Sequence, residues 1–163
     1  MKQYLQALDN VLNNGTVRDD RTGTGTIGIF GTQQRYNLSK SFPAVTTKKL
    51  AWKSVLSELL WFLEGSTDER RLAEILHGTR DINKRTIWTD NANAQGVALG
   101  YENTDTVKEL GPIYGKQWRS WVGADGVYDQ MQTTIDNLKN DPFSRRHIIS
   151  AWNVADIKDM ALP

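Results

Sequence analysis

The sequence predicts a fold that mixes α-helices with β-strands, and three stretches carry that expectation. From Lys48 to Leu63 apolar residues recur at helical spacing: Trp52, Val55, Leu56, Leu59, Leu60 and Leu63 fall within an arc of roughly 100° at 3.6 residues per turn. Ile27 to Leu38 reads as a strand or bent strand pair, with Gly28 and Gly31 as bend points and Phe42-Pro43 as its break. His147 to Trp152 is an apolar run of strand length, rich in β-branched and aromatic residues.

With 163 residues the chain is expected to form one domain, residues 1–163. An apolar content of 39% suffices for a core, although a mean hydropathy of -0.54 keeps the chain on the polar side. A formal net charge of +1 supplies no basic field, so RNA and membrane surfaces are not expected partners. No apolar run approaches the roughly 18–20 residues of a membrane span, no signal peptide is read at Met1-Lys2-Gln3, and a cytoplasmic location is expected. The absence of cysteine excludes a disulfide framework, a thiolate metal site and a cysteine nucleophile within these residues. With only His77 and His147, no metal site is expected.

Taken in order, Tyr4, Leu5, Leu8, Val11 and Leu12 predict a first helix, with Gly15 where a C′ glycine would end it. Arg18 to Thr26 has two glycines and no apolar side chain, so it is a loop. It either bends close to an anion, with Arg21 beside flexible backbone N–H groups, or simply joins two strands. The Lys48–Leu63 helix is widened by Trp61 and Phe62, and its C-terminal half is expected to be buried. Glu58 falls beside that apolar arc, with Trp61 at i+3 and Phe62 at i+4. A carboxylate held against aromatics and away from water is pushed towards its neutral form, which suits a general acid or base. The alternative is a glutamate whose head group reaches out at the helix edge.

Gly65 ends that helix, and Ser66-Thr67-Asp68-Glu69 fits a capping box for the next. That helix carries Leu72, Ile75 and Leu76 inward and closes at Gly78. Trp88 brings one large aromatic into a polar segment, and Asn91 to Glu109 reads mostly as loop. In Gly111 to Arg119 two glycines and a proline force a defined path while Tyr114, Trp118 and Trp121 crowd together, either as a wall for a flat ligand or as ordinary core. Val127 to Lys139 predicts a helix with Val127, Met131, Ile135 and Leu138 inward. After the Asp141-Pro142 turn, Arg145 and Arg146 sit at the mouth of the 147–152 run. Two guanidinium forks there suit a phosphate or carboxylate, or are solvated surface charges. Val154 to Met160 reads as one or two helical turns with Asn153 as a cap.

Six stretches, in this order, resemble thymidylate synthase: DDRTGTGT (19–26), FPAVTTKK (42–49), ELLWFLEGSTD (58–68), TIW (86–88), LGPIYGKQWR (110–119) and DPFSRRHIISAWN (141–153). The resemblance implies an α+β fold with a large twisted mixed sheet, flanked by helices, that pairs back to back with its copy in a homodimer. It implies conversion of dUMP to dTMP with 5,10-methylenetetrahydrofolate as one-carbon donor and reductant. By that resemblance Arg21 is a phosphate-binding loop arginine, and Arg145 and Arg146 reach the phosphate of the neighbouring subunit's site. Glu58 matches the glutamate that works through water on the pyrimidine, Tyr114 a tyrosine of the proton-removing water network, and Trp88 a tryptophan beside the folate. The family continues past an Ala-Leu-Pro-like segment into Pro-Cys-His, whose cysteine adds to C6 of dUMP. Ala161-Leu162-Pro163 stops just short of it, so the chain is expected to be an N-terminal portion, inactive alone. Ala51 stands where some members carry a folate-contacting histidine. A pyrimidine hydroxymethylase of the same superfamily, acting on dUMP or dCMP, and a non-catalytic piece that binds nucleotide or folate weakly, are the alternatives.

Overall fold

A computed structural model describes residues 1–20 and 23–162, and the chain divides into two units, Met1–Ala51 and Trp52–Pro163. In the first unit, helix α1 (Lys2–Asn14) forms as its periodicity predicts, yet Leu5, Leu8 and Leu12 stay largely exposed. Gly15 ends it, but with extended backbone (φ −77°, ψ 155°) rather than a left-handed cap. Glycine is needed there for space: a Cβ would lie 2.4 Å from the Val11 carbonyl oxygen and 2.5 Å from Ile27 Cγ2.

Strands β1 (Thr16–Arg18) and β2 (Thr26–Gly28) form an antiparallel hairpin with Val17 opposite Ile27. The glycine-rich loop between them is held by Asp20, whose backbone carbonyl accepts from Gly23 N and whose Oδ1 accepts from Gly25 N. The longer strand expected over Ile27–Leu38 stops at Gly28, and residues 29–51 carry no regular element. Phe30 and Leu38 are exposed there, and no described strand runs alongside to take up the backbone groups.

In the second unit, α2 begins at Trp52 rather than Lys48 and runs to Leu63. Its buried side is not the predicted arc: Ser57 and Trp61 are buried, whereas Val55, Leu56, Leu59 and Leu60 are 44 to 50% exposed. The helix packs through its Trp61 and Phe62 side against the helices formed by Glu69–His77 and Tyr114–Arg119. The opposite face stays half-exposed, so periodicity located the apolar stripe correctly but not its burial.

Helix α3 (Glu69–His77) is capped by Asp68 itself, whose Oδ1 accepts from Arg70 N at 2.9 Å, and Gly78 closes it in left-handed backbone (φ 77°). In the expected Ser66–Glu69 capping box, the Ser66 hydroxyl accepts only from Asp68 N at 3.4 Å and does not cap the helix, while Thr67 donates to Glu109 Oε2. The Asn91–Glu109 stretch read as loop begins as helix: α4 (Thr89–Asn91) passes directly into a π-helical turn, Ala92–Gly96. Burial of Ala92 and Gly96 against the core overrides the low helical propensity of the asparagines and glycine.

Helix α5 (Tyr114–Arg119) leads through the β3 (Trp121–Gly123) and β4 (Gly126–Tyr128) hairpin into α6 (Gln130–Asn140). Asp129 caps α6 by accepting from Gln132 N at 2.9 Å, so the helix starts after Val127, which belongs to β4. Ile135 and Leu138, expected inward, are exposed, and no residue of α6 is buried.

The 147–152 run is not a strand. Apart from local turns, its backbone is held by a distant side chain: the Gln130 amide accepts from Ser150 N and donates to Ser150 O, so a single side chain pairs one residue where a ladder would pair a row. Asn153 Oδ1 accepts from Ala155 N, as expected of a cap, and the segment then turns into a 3₁₀ helix, Ile157–Asp159. Among the described residues the strands form two separate two-stranded antiparallel sheets, and the large mixed sheet that the resemblance implies is not formed among them.

The core of this unit gathers Trp61, Leu72, Trp88, Ala92, Leu110, Ile113, Met160 and Ala161, with Phe62, Ile75, Tyr114 and Leu162 against it. Burying a side chain such as Leu72 contributes about 1.5–3 kcal/mol. Gly111 keeps the Leu110 backbone in this core. It has left-handed backbone (φ 76°), and a Cβ there would lie 2.4 Å from the Asp159 carbonyl oxygen and 2.5 Å from the Tyr101 ring.

Candidate active site

Glu58 is half-buried on α2, next to buried Ser57. Trp88, only 6% exposed, closes the coil ahead of α4, and its indole Nε1 donates to Glu58 Oε1 at 2.6 Å. Tyr114 opens α5 with its ring 6.0 Å from that of Trp88 and 5.3 Å from that of Phe62. Phe62 also stands edge-on to Trp88 and Trp118, and Trp61 edge-on to Trp88. Three of the sequence-predicted site residues therefore meet around one aromatic cluster, although they come from positions 58, 88 and 114. The expected crowding of Tyr114 with Trp118 occurs through Phe62, while Trp121 starts β3.

One Glu58 oxygen is held by the indole. The other oxygen and the Tyr114 hydroxyl have no hydrogen-bond partner among the described residues. A carboxylate anchored at one oxygen, with a phenol nearby, has the parts for passing protons through water. The surrounding rings offer a flat apolar wall. Among the described residues no group of three or more His, Cys, Asp or Glu is arranged to hold a metal ion, and no helix is long and apolar enough to cross a membrane.

The segment that follows the arginine pair ends at this cluster. Ala161 N donates to Leu110 O at 3.0 Å, and Met160 and Ala161 are buried in the same core. Its turn is fastened by Tyr101 Oη donating to Asp159 O, and by the amides of Gln117 and Asn153 donating to Asp156 Oδ2. Arg145 and Arg146 themselves are exposed and unpaired among the described residues, and no hydrogen bond or ion pair joins them to Glu58, Trp88 or Tyr114. Arg21 lies outside the described residues.

Sequence reasoning missed the polar scaffold behind Trp88. Glu69 and Arg70 are both fully buried and form a bidentate pair at 2.7 Å. Burial by itself would push the Glu69 carboxyl up, but hydrogen bonds from Arg70, Thr89 and Thr86 outweigh it and hold the group below its ordinary value. Two charges side by side at a helix start usually mark a solvated turn, so nothing in the sequence pointed to their burial. By contrast, the ion pairs of Arg71 with Glu64 and Glu74 are surface contacts of small energetic weight.

A profile of the family described as thymidylate synthase matches residues 2–163. The chain is 50% identical over 163 residues to the probable thymidylate synthase of Escherichia phage T5, covering all of this chain and 55% of that protein. It is 50% identical to the thymidylate synthase of Enterobacteria phage T4, covering 54% of it. The crystal structure of thymidylate synthase from T4 phage superposes with a TM-score of 0.84 at 49% identity, over all of this chain and 54% of that one. The chain thus spans about half the length of the curated relatives it matches, and shares their α+β fold. On its sequence and its backbone, the chain belongs to the thymidylate synthase family.

Proposed function

We propose that this chain is the N-terminal part of an enzyme that converts dUMP to dTMP with 5,10-methylenetetrahydrofolate as one-carbon donor and reductant. The observation that carries the reading is the convergence of Glu58, Trp88 and Tyr114 on one aromatic cluster, with a free carboxylate oxygen and a free phenol beside it. In this reading the rings around Trp88 flank the folate, Glu58 moves protons through water at the pyrimidine, and Tyr114 assists at its C5 proton. Arg21, Arg145 and Arg146 hold the nucleotide phosphate. Residues 1–163 belong to one catalytic domain working in the cytoplasm. The nucleophilic thiolate comes from outside these residues, which contain no cysteine.

The test is to incubate the full-length protein with dUMP and 5,10-methylenetetrahydrofolate and follow dTMP and dihydrofolate together. Equal appearance of both is expected, and the isolated 163-residue chain should form neither. A hydroxymethylated pyrimidine without dihydrofolate would assign the protein to the hydroxymethylases instead, and turnover by the isolated chain would remove the requirement for a thiol.

The arginine pair is assigned to a homodimer partner's phosphate. Both side chains are exposed and unpaired among the described residues, and no hydrogen bond or ion pair joins either to the cluster of its own chain. In the full-length protein, one variant would lack both arginines (Arg145→Ala with Arg146→Ala) and a second only the nucleophilic cysteine. Neither homodimer should turn over appreciably. Mixing them should recover up to about half the activity of dimers with two good sites, because one site then combines an intact cysteine with intact arginines. Each lost phosphate contact also weakens dUMP binding by about 1.5–3 kcal/mol. A mixture that stays inactive after verified subunit exchange would return the arginines to their own subunit.

A further inference from the structure

We infer that the buried Glu69–Arg70 pair is a positioning device for the active site, acting through Thr86 and Thr89 on Trp88 and, through the Trp88 indole, on Glu58; this rests on the function proposed above. Replacing a buried ion pair by well-packed apolar residues is often neutral or stabilising, so stability alone gives little reason for one here. What distinguishes this pair is where its remaining hydrogen bonds go.

Those of the two side chains run to the coil between α3 and α4 and to Thr89, the first residue of α4. Arg70 Nη1 donates to Asp81 O at 2.8 Å and Nη2 to Lys84 O at 3.1 Å. Glu69 Oε1 accepts from Thr86 Oγ1 and from Thr89 Oγ1, each at 2.7 Å. The two hydroxyls pass the restraint on. Thr86 Oγ1 accepts from Trp88 N at 3.1 Å, and Thr89 Oγ1 accepts from Thr86 N at 2.9 Å. The backbone on both sides of Trp88 is therefore tied to a rigid, fully buried pair.

The indole of that tryptophan holds Glu58 Oε1. A coil with no regular element of its own would otherwise leave Trp88, and with it the carboxylate, to settle among several positions. Displacement of a reacting group by about 1 Å costs on the order of a hundredfold in rate.

The test uses the full-length protein and the substitution Thr86→Val, which keeps the β-branched shape but removes the hydroxyl that joins Glu69 to Trp88 N. The readouts are turnover, dUMP affinity and the NMR resonance of the Trp88 indole N–H, assigned with Trp88→Phe. In Thr86→Val the indole resonance should shift away from its wild-type position and kcat should fall on the order of tenfold to a hundredfold. dUMP affinity should stay near wild type, and Thr86→Ser should restore both signals. The double variant Glu69→Leu with Arg70→Met, which avoids a lone buried charge, should shift the indole resonance in the same way. An unchanged indole resonance and unchanged kcat in Thr86→Val, with only a lower melting temperature, would overturn the proposal and leave the pair a purely structural role. If the wild-type protein shows no thymidylate synthesis, the proposed function fails, while the indole resonance still decides whether the pair positions Trp88.

Discussion

In the full-length protein Glu58→Gln is expected to lower kcat by about 10²–10⁴-fold, the range general acid–base groups contribute, while dUMP affinity stays near wild type. The glutamine keeps the length of the side chain and an oxygen to accept the Trp88 indole at the position where Glu58 Oε1 does so. What it lacks is a carboxylate that can take up a proton and give it back. Turnover from saturating substrate and dUMP binding by titration together check the expectation. Collapse of dUMP binding with turnover intact would reassign Glu58 to a structural role. Glu58→Ala makes a useful contrast, since it also strips the nearly buried Trp88 N–H of its acceptor, at a stability cost of about 1–3 kcal/mol.

The largest effect on stability is expected from Arg70→Met. The substitution leaves the fully buried Glu69 carboxylate without a counter-charge and the Asp81 and Lys84 carbonyls without their donor. Breaking one side of a buried pair costs about 3–5 kcal/mol, to be measured by urea unfolding near neutral pH. The pH dependence carries a definite sign. In the wild type, Glu69 in the folded protein is held below its ordinary value of 4.5. It therefore contributes stability that is present above the unfolded value and lost as pH falls through the lowered folded value. In Arg70→Met the leading restraint is gone and burial pushes the carboxyl up, so the folded protein takes up a proton more readily than the unfolded chain. The stability gap between the two proteins should therefore shrink as pH falls below 4.5. A gap that is constant with pH would mean that Glu69 does not need the charge of Arg70.

Part of the candidate site was legible in the sequence. Glu58 stood out at an amphipathic edge, the roles of Trp88 and Tyr114 came from the resemblance, and the fold brings the three side chains together. Local signals were read well where the cause is local. Gly78 closes α3 because a left-handed residue is needed there, and the Asp141-Pro142 turn ends α6, with Ser144 N donating to Asp141 O. The α2 and α6 apolar stripes were found at the right spacing, but their burial was not, since burial depends on which element lies opposite.

The sequence by itself determined the family, the helix periods, the stops at Gly78 and Asp141-Pro142, and which residue types are suited to the chemistry, because those depend on neighbours within a few positions or on ordered motifs. Only the tertiary structure decided the rest. It buried Glu69 and Arg70 together, turned the asparagine-rich stretch after Trp88 into helix, replaced a strand ladder at Ser150 with one glutamine side chain, and set the Trp88 indole on Glu58. Each of these is settled by a partner distant in sequence: Thr86 and Thr89 for Glu69, Leu110 and the 160–161 segment for the core beside Ala92, Gln130 for Ser150, and Trp88 for Glu58. A buried polar group must satisfy its hydrogen bonds somewhere, and which residue satisfies them is a property of the folded chain rather than of its local pattern.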